Sequence, residues 1–147
     1  MTTNRSIRTL AAVLGLALAP SLAGAIEVNK LEHMEGIYGR YAPGGDCKRQ
    51  PQVVAELGGL TFENGDARHK VARIEYAASY LGNSYEGIGI WLMPLYGTER
   101  PIVLNFNADE KPGALTIDGF DRGWKGGPPL SARHQALVDA SPYRRCK

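Results

Sequence analysis

The segment Gly36–Cys47 reads Gly-Ile-Tyr-Gly-Arg-Tyr-Ala-Pro-Gly-Gly-Asp-Cys, and it opens the predicted folded domain. Its first half has the composition of a strand, and residues 43–46 have that of a turn. Cys47 has one possible partner, because the only other cysteine of the chain is Cys146. Two free thiols or a redox pair are the alternatives, but a redox pair usually has Cys-x-x-Cys spacing. The sequence therefore predicts a Cys47–Cys146 disulfide that ties the first segment of the domain to the last.

Residues 1–25 have the features of a secretory signal peptide. Arg5 and Arg8 form a basic region, residues 10–18 are mostly apolar, and Ala23-Gly24-Ala25 is an Ala-x-Ala cleavage site. The apolar run is shorter than the roughly 20 residues of a membrane span, so a retained anchor is the less favoured alternative. We therefore predict cleavage after Ala25, a single domain over 26–147, and a periplasmic or secreted location.

The charge balance changes once the signal is removed. The chain has 17 basic and 15 acidic residues, and the signal carries two basic residues and no acidic one, so 15 of each remain. A domain of zero net charge lacks the basic footprint of a nucleic-acid-binding protein. It is also not attracted to an acidic membrane surface.

Alternating apolar residues and glycine turns predict a mainly β fold. Leu104 and Phe106 alternate with Asn105 and Asn107, and Gly58-Gly59 joins two apolar runs in the manner of a tight hairpin. Similar strands are predicted over 37–41, 70–80, 87–93, 102–108 and 114–120. Short strands at this spacing indicate a small antiparallel β-barrel or barrel-like sandwich, a meander of about seven or eight strands. Ser131 is a suitable N-cap for a C-terminal α-helix over 132–140.

No catalytic or metal-binding motif is present. The three histidines, His33, His69 and His134, are far apart in sequence, and neither a zinc motif nor a Gly-x-Ser-x-Gly nucleophile motif occurs. The pattern Asn105-x-Asn107-x-Asp109 is similar to the start of a calcium loop but lacks that loop's later glycine and acid. We therefore predict no metal and no cofactor, and an enzyme is the less favoured class.

One loop has the composition of a binding site. Trp124 stands between Arg122 and Lys125 in the Gly/Pro-rich segment 121–129. A tryptophan flanked by cations on a loop is typical of a hot spot for a protein or saccharide partner. The alternative is that Trp124 folds back and plugs one end of the barrel.

The predicted disulfide would create a second candidate surface. It would bring Arg40, Arg144 and Arg145 together, with Asp46 as a possible partner for one of them. The cluster is then either a surface ion pair or a patch that recognises anions. The outward amides of Asn105 and Asn107 would bind a polar partner or face water.

The predicted architecture resembles that of small exported β-barrels with disulfides, such as periplasmic lysozyme inhibitors and lipocalin-like carriers. Gly36-Ile37-Tyr38 is a loose match to the lipocalin Gly-x-Trp motif. A likeness of architecture alone implies no function, and no family is assigned.

The favoured functional class is an exported, soluble, non-enzymatic binding protein of the bacterial envelope. Its partner would be a protein or a cell-envelope saccharide, with no nucleic acid and no membrane span. The alternatives are a carrier of a small apolar ligand inside the barrel, a small hydrolase with His69 or His134 as base, and a structural envelope protein. The sequence does not determine the oligomeric state.

Overall fold

A computed structural model describes residues 26–71, 73–76, 85–95, 99–119 and 128–147. These residues form one antiparallel sheet that curves into a half-barrel, with one α-helix near its C-terminal end. The predicted mainly β, barrel-like fold with a C-terminal helix and one disulfide is thereby confirmed. Within the described ranges, no helix has the length and apolar character of a membrane span.

The sheet consists of two four-strand meanders joined by the last strand, with the first strand added at one edge. In chain order, the strands are β1 Ile26–Val28, β2 Gly39–Pro43, β3 Gln52–Glu56, β4 Gly59–Asn64, β5 Ala67–Lys70, β6 Ile74–Tyr76, β7 Ile90–Pro94, β8 Ile102–Phe106, β9 Ala114–Gly119 and β10 Tyr143–Arg145. Their order across the sheet is β1-β6-β7-β8-β9-β10-β2-β3-β4-β5. Strand β10 therefore pairs with β9 on one side and with β2 on the other, so that the two halves become one sheet.

The inner face of the sheet carries the core. Leu104 and Phe106 of β8 and Leu115 of β9 are fully buried, as their alternation predicts. Tyr41 packs edge-to-face on Phe106, with ring centroids 5.2 Å apart. Each large side chain buried in this way stabilises the fold by roughly 1.5–3 kcal/mol relative to an exposed one.

The helix α1, Ala132–Asp139, packs against β9. Ser131 caps it as predicted, because its hydroxyl accepts a hydrogen bond from the amide of His134 at 3.3 Å. Leu137 and His134 turn inward and are buried, and the hydroxyl of Tyr143 donates to the carbonyl of Leu137 at 2.9 Å. The helix therefore covers the inner face next to β10.

The β3–β4 hairpin forms as predicted but turns one residue earlier. Glu56 is paired with Gly59, so the two loop residues are Leu57 and Gly58. Gly59 is the first residue of β4 and has a φ of +114°. Glycine adopts this backbone conformation without the strain that a Cβ atom would introduce.

The predicted strand over 70–80 is wrong as a single element. Strand β5 ends at Lys70, and the chain then crosses to the other end of the sheet, where Ile74 begins β6 and pairs with Pro94 of β7. Ile88, which lies in the strand predicted over 87–93, is exposed, because β7 begins only at Ile90. The split strand and the short β1 and β10 explain why the described sheet has ten strands, more than predicted.

Candidate functional site

The predicted disulfide is present and lies on the outer face of the sheet. Cys47 and Cys146 are bonded, with Cα atoms 5.7 Å apart. The amide of Cys146 donates to the carbonyl of Arg40 at 2.7 Å, and the amide of Gly44 donates to the carbonyl of Pro142 at 3.1 Å. The bond therefore fastens the β2–β3 loop to the residues around β10.

A groove of about 590 Å³ runs along this disulfide, and we call it the seam groove. None of the described acidic side chains lines it; the described lining residues are Gly44, Gly45, Cys47, Pro112, Gly113, Arg144, Arg145, Cys146 and Lys147. Its volume lies in the range of small-molecule sites, roughly 300–1,000 Å³. Arg144, Arg145 and Lys147 are among these lining residues, which makes the groove suitable for an anionic group.

Two glycines allow the walls of the seam groove to come close together. Gly45 has a φ of +86°, and a Cβ atom there would lie 3.0 Å from Cβ of Arg144. Gly113 has a φ of +75°, and a Cβ atom there would lie 3.2 Å from Cβ of Arg145. Glycine is needed at both positions for its backbone conformation and for its lack of a side chain.

Arg145 is fixed by contacts inside the protein. Its Nε and Nη2 donate to the hydroxyl oxygen of Tyr41 at 3.3 and 3.1 Å, and Nη2 also donates to the carbonyl of Gly36. The guanidinium lies 5.6 Å from the centre of the Tyr41 ring. Burial raises the pKa of Tyr41, although the hydrogen bond from Arg145 opposes that shift. Arg145 therefore acts mainly as a rigid wall of the seam groove.

Arg144 points to the other side of β10 and is exposed. Within the part of the chain that the structure describes, its guanidinium makes no hydrogen bond or ion pair. Lys147, two residues after Arg145, is exposed in the same groove. Arg144 therefore has donors available for a partner, and an arginine can bind a carboxylate or phosphate through two parallel hydrogen bonds.

Arg40 does not line the seam groove, so the three arginines do not converge as predicted. Its Nη1 donates to Oε1 of Gln52 at 2.6 Å and to the carboxylate of Glu63, which Arg68 also approaches at 3.3 Å. The hydrogen bond from Arg40 lowers the pKa of Glu63. Asp46 was predicted to pair with an arginine, but among the described residues its carboxylate accepts from the amide of Lys48 at 3.0 Å.

The two predicted amides have different environments. Asn105 lies on β8 opposite Trp91 and Thr116, half-buried, and its Oδ1 is buried without a hydrogen-bond donor among the described residues. Asn107 is not on an outward strand face, because β8 ends at Phe106. It is buried, its Oδ1 accepts from the amide of Gly113 at 2.9 Å, and its Nδ2 donates to the carbonyl of Ile88 at 3.0 Å. Asn107 therefore shapes the β8–β9 loop.

An aromatic pair that the sequence did not predict as a site lies at the start of β7. The Trp91 ring is half-buried and meets the Tyr85 ring edge-on, with centroids 5.5 Å apart. The Tyr85 hydroxyl donates to the Glu110 carboxylate and accepts from the amide of Gly89 at 2.8 Å. The hydrogen bond to Glu110 raises the pKa of Tyr85, and the same bond lowers that of Glu110. Strand alternation could have indicated this site, because it places Trp91 on the other face of β7 from the buried Leu92.

His69 and His134 are neither lining residues of the seam groove nor partners of the Tyr85–Trp91 pair. His134 is buried, with Nδ1 3.0 Å from the carbonyl of Arg100 and Nε2 3.7 Å from the carboxylate of Glu99. Burial lowers the pKa of His134. His69 is exposed on β5. The described residues contain no cluster of three or more histidine, cysteine, aspartate or glutamate side chains that could hold a metal ion.

Residues 121–127 of the predicted binding loop lie outside the described residues, and these include Arg122, Trp124 and Lys125. Their role in binding stays a prediction. Comparison with protein-family models, with curated proteins and with solved structures finds no match for the chain.

Proposed function

We propose that the chain is an exported, non-enzymatic binding protein of the bacterial envelope that holds an anionic group of its partner in the seam groove. The observation that carries this proposal is the exposed guanidinium of Arg144, which makes no hydrogen bond or ion pair among the described residues and borders a groove without acidic lining residues. A periplasmic or secreted location belongs to the proposal. The disulfide is compatible with an extracytoplasmic protein, because such bonds persist in oxidising compartments.

The rigidity of the seam groove supports a binding role. The disulfide, the contacts of Arg145 with Tyr41, and the two close glycines hold its walls in place before any partner arrives. A pre-organised site loses less conformational entropy on binding than a flexible one. The partner would be a protein or a cell-envelope saccharide that carries carboxylate or phosphate groups.

The carrier alternative has weaker support. Tyr41, Phe106 and Tyr143 are fully buried and fill the inner face of the half-barrel. The cavity beside α1 that includes Phe62 and Leu137 measures about 130 Å³. This volume is well below the roughly 300 Å³ at which small-molecule sites begin.

Titration calorimetry with two anionic probes, tetraglutamate and tetragalacturonate, tests the proposal in low salt. We expect Arg144→Gln to weaken binding of at least one probe about tenfold, since it removes a charge-assisted hydrogen bond. Lys70→Gln is the matched control, because Lys70 is an exposed cation on the edge strand β5, remote from the groove. Equal weakening by both variants, or no weakening by Arg144→Gln, would overturn the proposal.

The Trp124 loop is the competing recognition surface. Capture of a partner from an envelope fraction by wild type, Arg144→Gln and Trp124→Ala compares the two. Loss of capture with Trp124→Ala alone would assign recognition to the loop, whereas loss with Arg144→Gln alone would assign it to the seam groove.

A further inference from the structure

A row of side chains on the outer face of the sheet leads from Trp91 toward the seam groove. Trp91, Asn105 and Thr116 are direct cross-strand neighbours on β7, β8 and β9. Their strand neighbours Leu92, Leu104 and Ile117 form the matching row on the buried inner face. Because strand residues alternate between faces, the Trp91 row lies on the outer face.

Arg144 lies on the same outer face at the far side of this row. It is paired with Ala114, two residues before Thr116 on β9 and therefore on the same face of that strand. Three inter-strand spacings across the sheet and two residues along the strand direction separate Trp91 from Arg144, which places their backbones about 16 Å apart. The Trp91 row and Arg144 of the seam groove therefore lie on the same face of the sheet.

The Trp91 ring is held in place before any ligand binds. Tyr85 supports one edge, and a Cβ atom at Gly89 would lie 2.7 Å from Cη2 of the indole, so the ring rests directly on the backbone. Glu110 fixes Tyr85 in turn and also accepts a hydrogen bond from the amide of Ile88 at 2.7 Å. Immobilising this ring on binding therefore costs little further conformational entropy.

The polar members of the row suit hydroxyl groups. Thr116 is half-buried and carries a hydroxyl that can donate or accept. Oδ1 of Asn105 lacks a donor among the described residues. Because the terminal torsion of asparagine is broad, rotation of the amide would turn this oxygen outward to a hydroxyl donor. An aromatic face beside an amide and a hydroxyl matches a sugar ring, which has an apolar C–H face and hydroxyls around its rim.

We propose that the partner is an acidic oligosaccharide that stacks one sugar ring on Trp91 and places a carboxylate or phosphate against Arg144. This inference rests on the proposed function and names the partner class of the same site. Charge complementarity favours an acidic saccharide over a neutral one, since Arg144, Arg145 and Lys147 line the groove. Asn105 and Thr116 lie between the two ends and would bind the hydroxyls of the intervening sugar.

Calorimetry with tetragalacturonate and its neutral counterpart, the fully methyl-esterified tetragalacturonate, tests the saccharide end of the surface. We expect Trp91→Ala to weaken tetragalacturonate binding about tenfold, Trp91→Phe to weaken it less, and tetraglutamate binding to be unchanged by either. Leu57→Ala is the control, since it also removes an exposed apolar side chain but at the β3–β4 turn. The proposal is overturned if Trp91→Ala changes tetragalacturonate affinity less than twofold, or if tetraglutamate binds as tightly as the saccharide.

Fluorescence gives a readout that needs no disruptive change at Trp91. The chain has two tryptophans, so Trp124→Phe leaves Trp91 as the single emitter. We expect its emission to change and to saturate at the tetragalacturonate concentration found by calorimetry. An emission unchanged at saturation overturns the saccharide proposal. The proposed function is tested separately, by whether Arg144→Gln weakens the binding of either anionic probe.

Discussion

The hydroxyl oxygen of Tyr41 accepts hydrogen bonds from Nε and Nη2 of Arg145, 104 residues further along the chain. The same hydroxyl donates to the carbonyl of Ile37 at 2.8 Å. One phenol therefore connects the middle of β2, the end of β10 and the turn before β2. The Tyr41 side chain is fully buried in the core, and its partner Arg145 lines the seam groove. Tyr41 therefore links the core to the seam groove.

Tyr41→Phe should destabilise the protein, because it leaves the carbonyl of Ile37 and the guanidinium of Arg145 without this partner. We expect a loss of about 1–3 kcal/mol in the free energy of unfolding, measured by urea denaturation. Tyr38→Phe is the comparison, since the Tyr38 hydroxyl donates to a single carbonyl, that of Leu31, at 2.6 Å. A smaller loss of unfolding free energy for Tyr41→Phe than for Tyr38→Phe would contradict the role of Tyr41 as a link between the core and the seam groove.

Breaking the disulfide should lower stability strongly while leaving the fold formed in mild conditions. Cys47→Ala is expected to cost about 2–5 kcal/mol, since the bond closes a loop of 99 residues. Urea midpoints of wild type with and without reductant provide the measurement. The double variant Cys47→Ala/Cys146→Ala is the control and should not respond to reductant. A wild-type midpoint that reductant leaves unchanged would refute the prediction.

Gly45→Ala should destabilise the protein and also weaken binding at the seam groove. The positive φ alone costs an alanine roughly 1 kcal/mol, and the new methyl group would additionally contact Cβ of Arg144. Gly65→Ala separates the two effects, because Gly65 has a φ of +60° and a Cβ atom there would have no atom of the described residues within 4 Å. We expect both variants to be less stable by urea denaturation, and only Gly45→Ala to weaken the anionic probes. Equal binding by the two variants would rule out a contribution of the close approach at Gly45.

The buried His134 should make stability depend on pH below neutrality. Burial lowers its pKa in the folded state, so the unfolded chain binds a proton first as the pH falls. Stability is therefore greatest above the unfolded pKa of about 6.5 and decreases as the pH drops toward the folded value. Urea unfolding between pH 7.5 and about pH 5 measures the slope. His134→Gln should flatten that slope, and a variant that keeps the full slope would show that another group causes it.

Glu99, beside His134, makes stability depend on pH in a lower pH range. Burial alone would raise its pKa, but hydrogen bonds from Ser131 and Arg133 outweigh burial and lower it. The stability that ionised Glu99 contributes is thus fully present above the unfolded pKa of a glutamate, roughly 4.3. It is lost as the pH falls through the pKa of Glu99 in the folded protein. The two titrations are separable because they act in different pH ranges.

The parts of the fold that depend on local alternation were predictable. Leu104, Phe106 and Leu115 are buried as expected, because burial selects an apolar residue at every second position of a strand. The strand predicted over 70–80 failed because its alternation continues through the point where the chain changes partners between Lys70 and Ile74. Periodicity reports which face is buried, whereas pairing is decided by the whole sheet.

The same distinction between local sequence and strand pairing explains which parts of the candidate site could be predicted. The disulfide was predictable because Cys47 has one possible partner. The pairing of Arg40 with Glu63 and the neighbourhood of Trp91 and Asn105 depend on cross-strand register, which neither strand encodes alone. Asn107 left the strand pattern because its left-handed backbone, with a φ of 53°, begins the β8–β9 loop.

The position of β10 affects how the chain folds during synthesis, when its N-terminal part becomes available first. Strands β2–β5 and β6–β9 are complete before residues 143–145 arrive, so β2 and β9 wait with unpaired edges that could pair with another chain. Docking of three residues then converts two half-sheets into one. Cys146 follows β10 directly, and its bond to Cys47 spans the same junction. The disulfide thus makes the β2–β10 side of this junction permanent once the last strand has paired with β2.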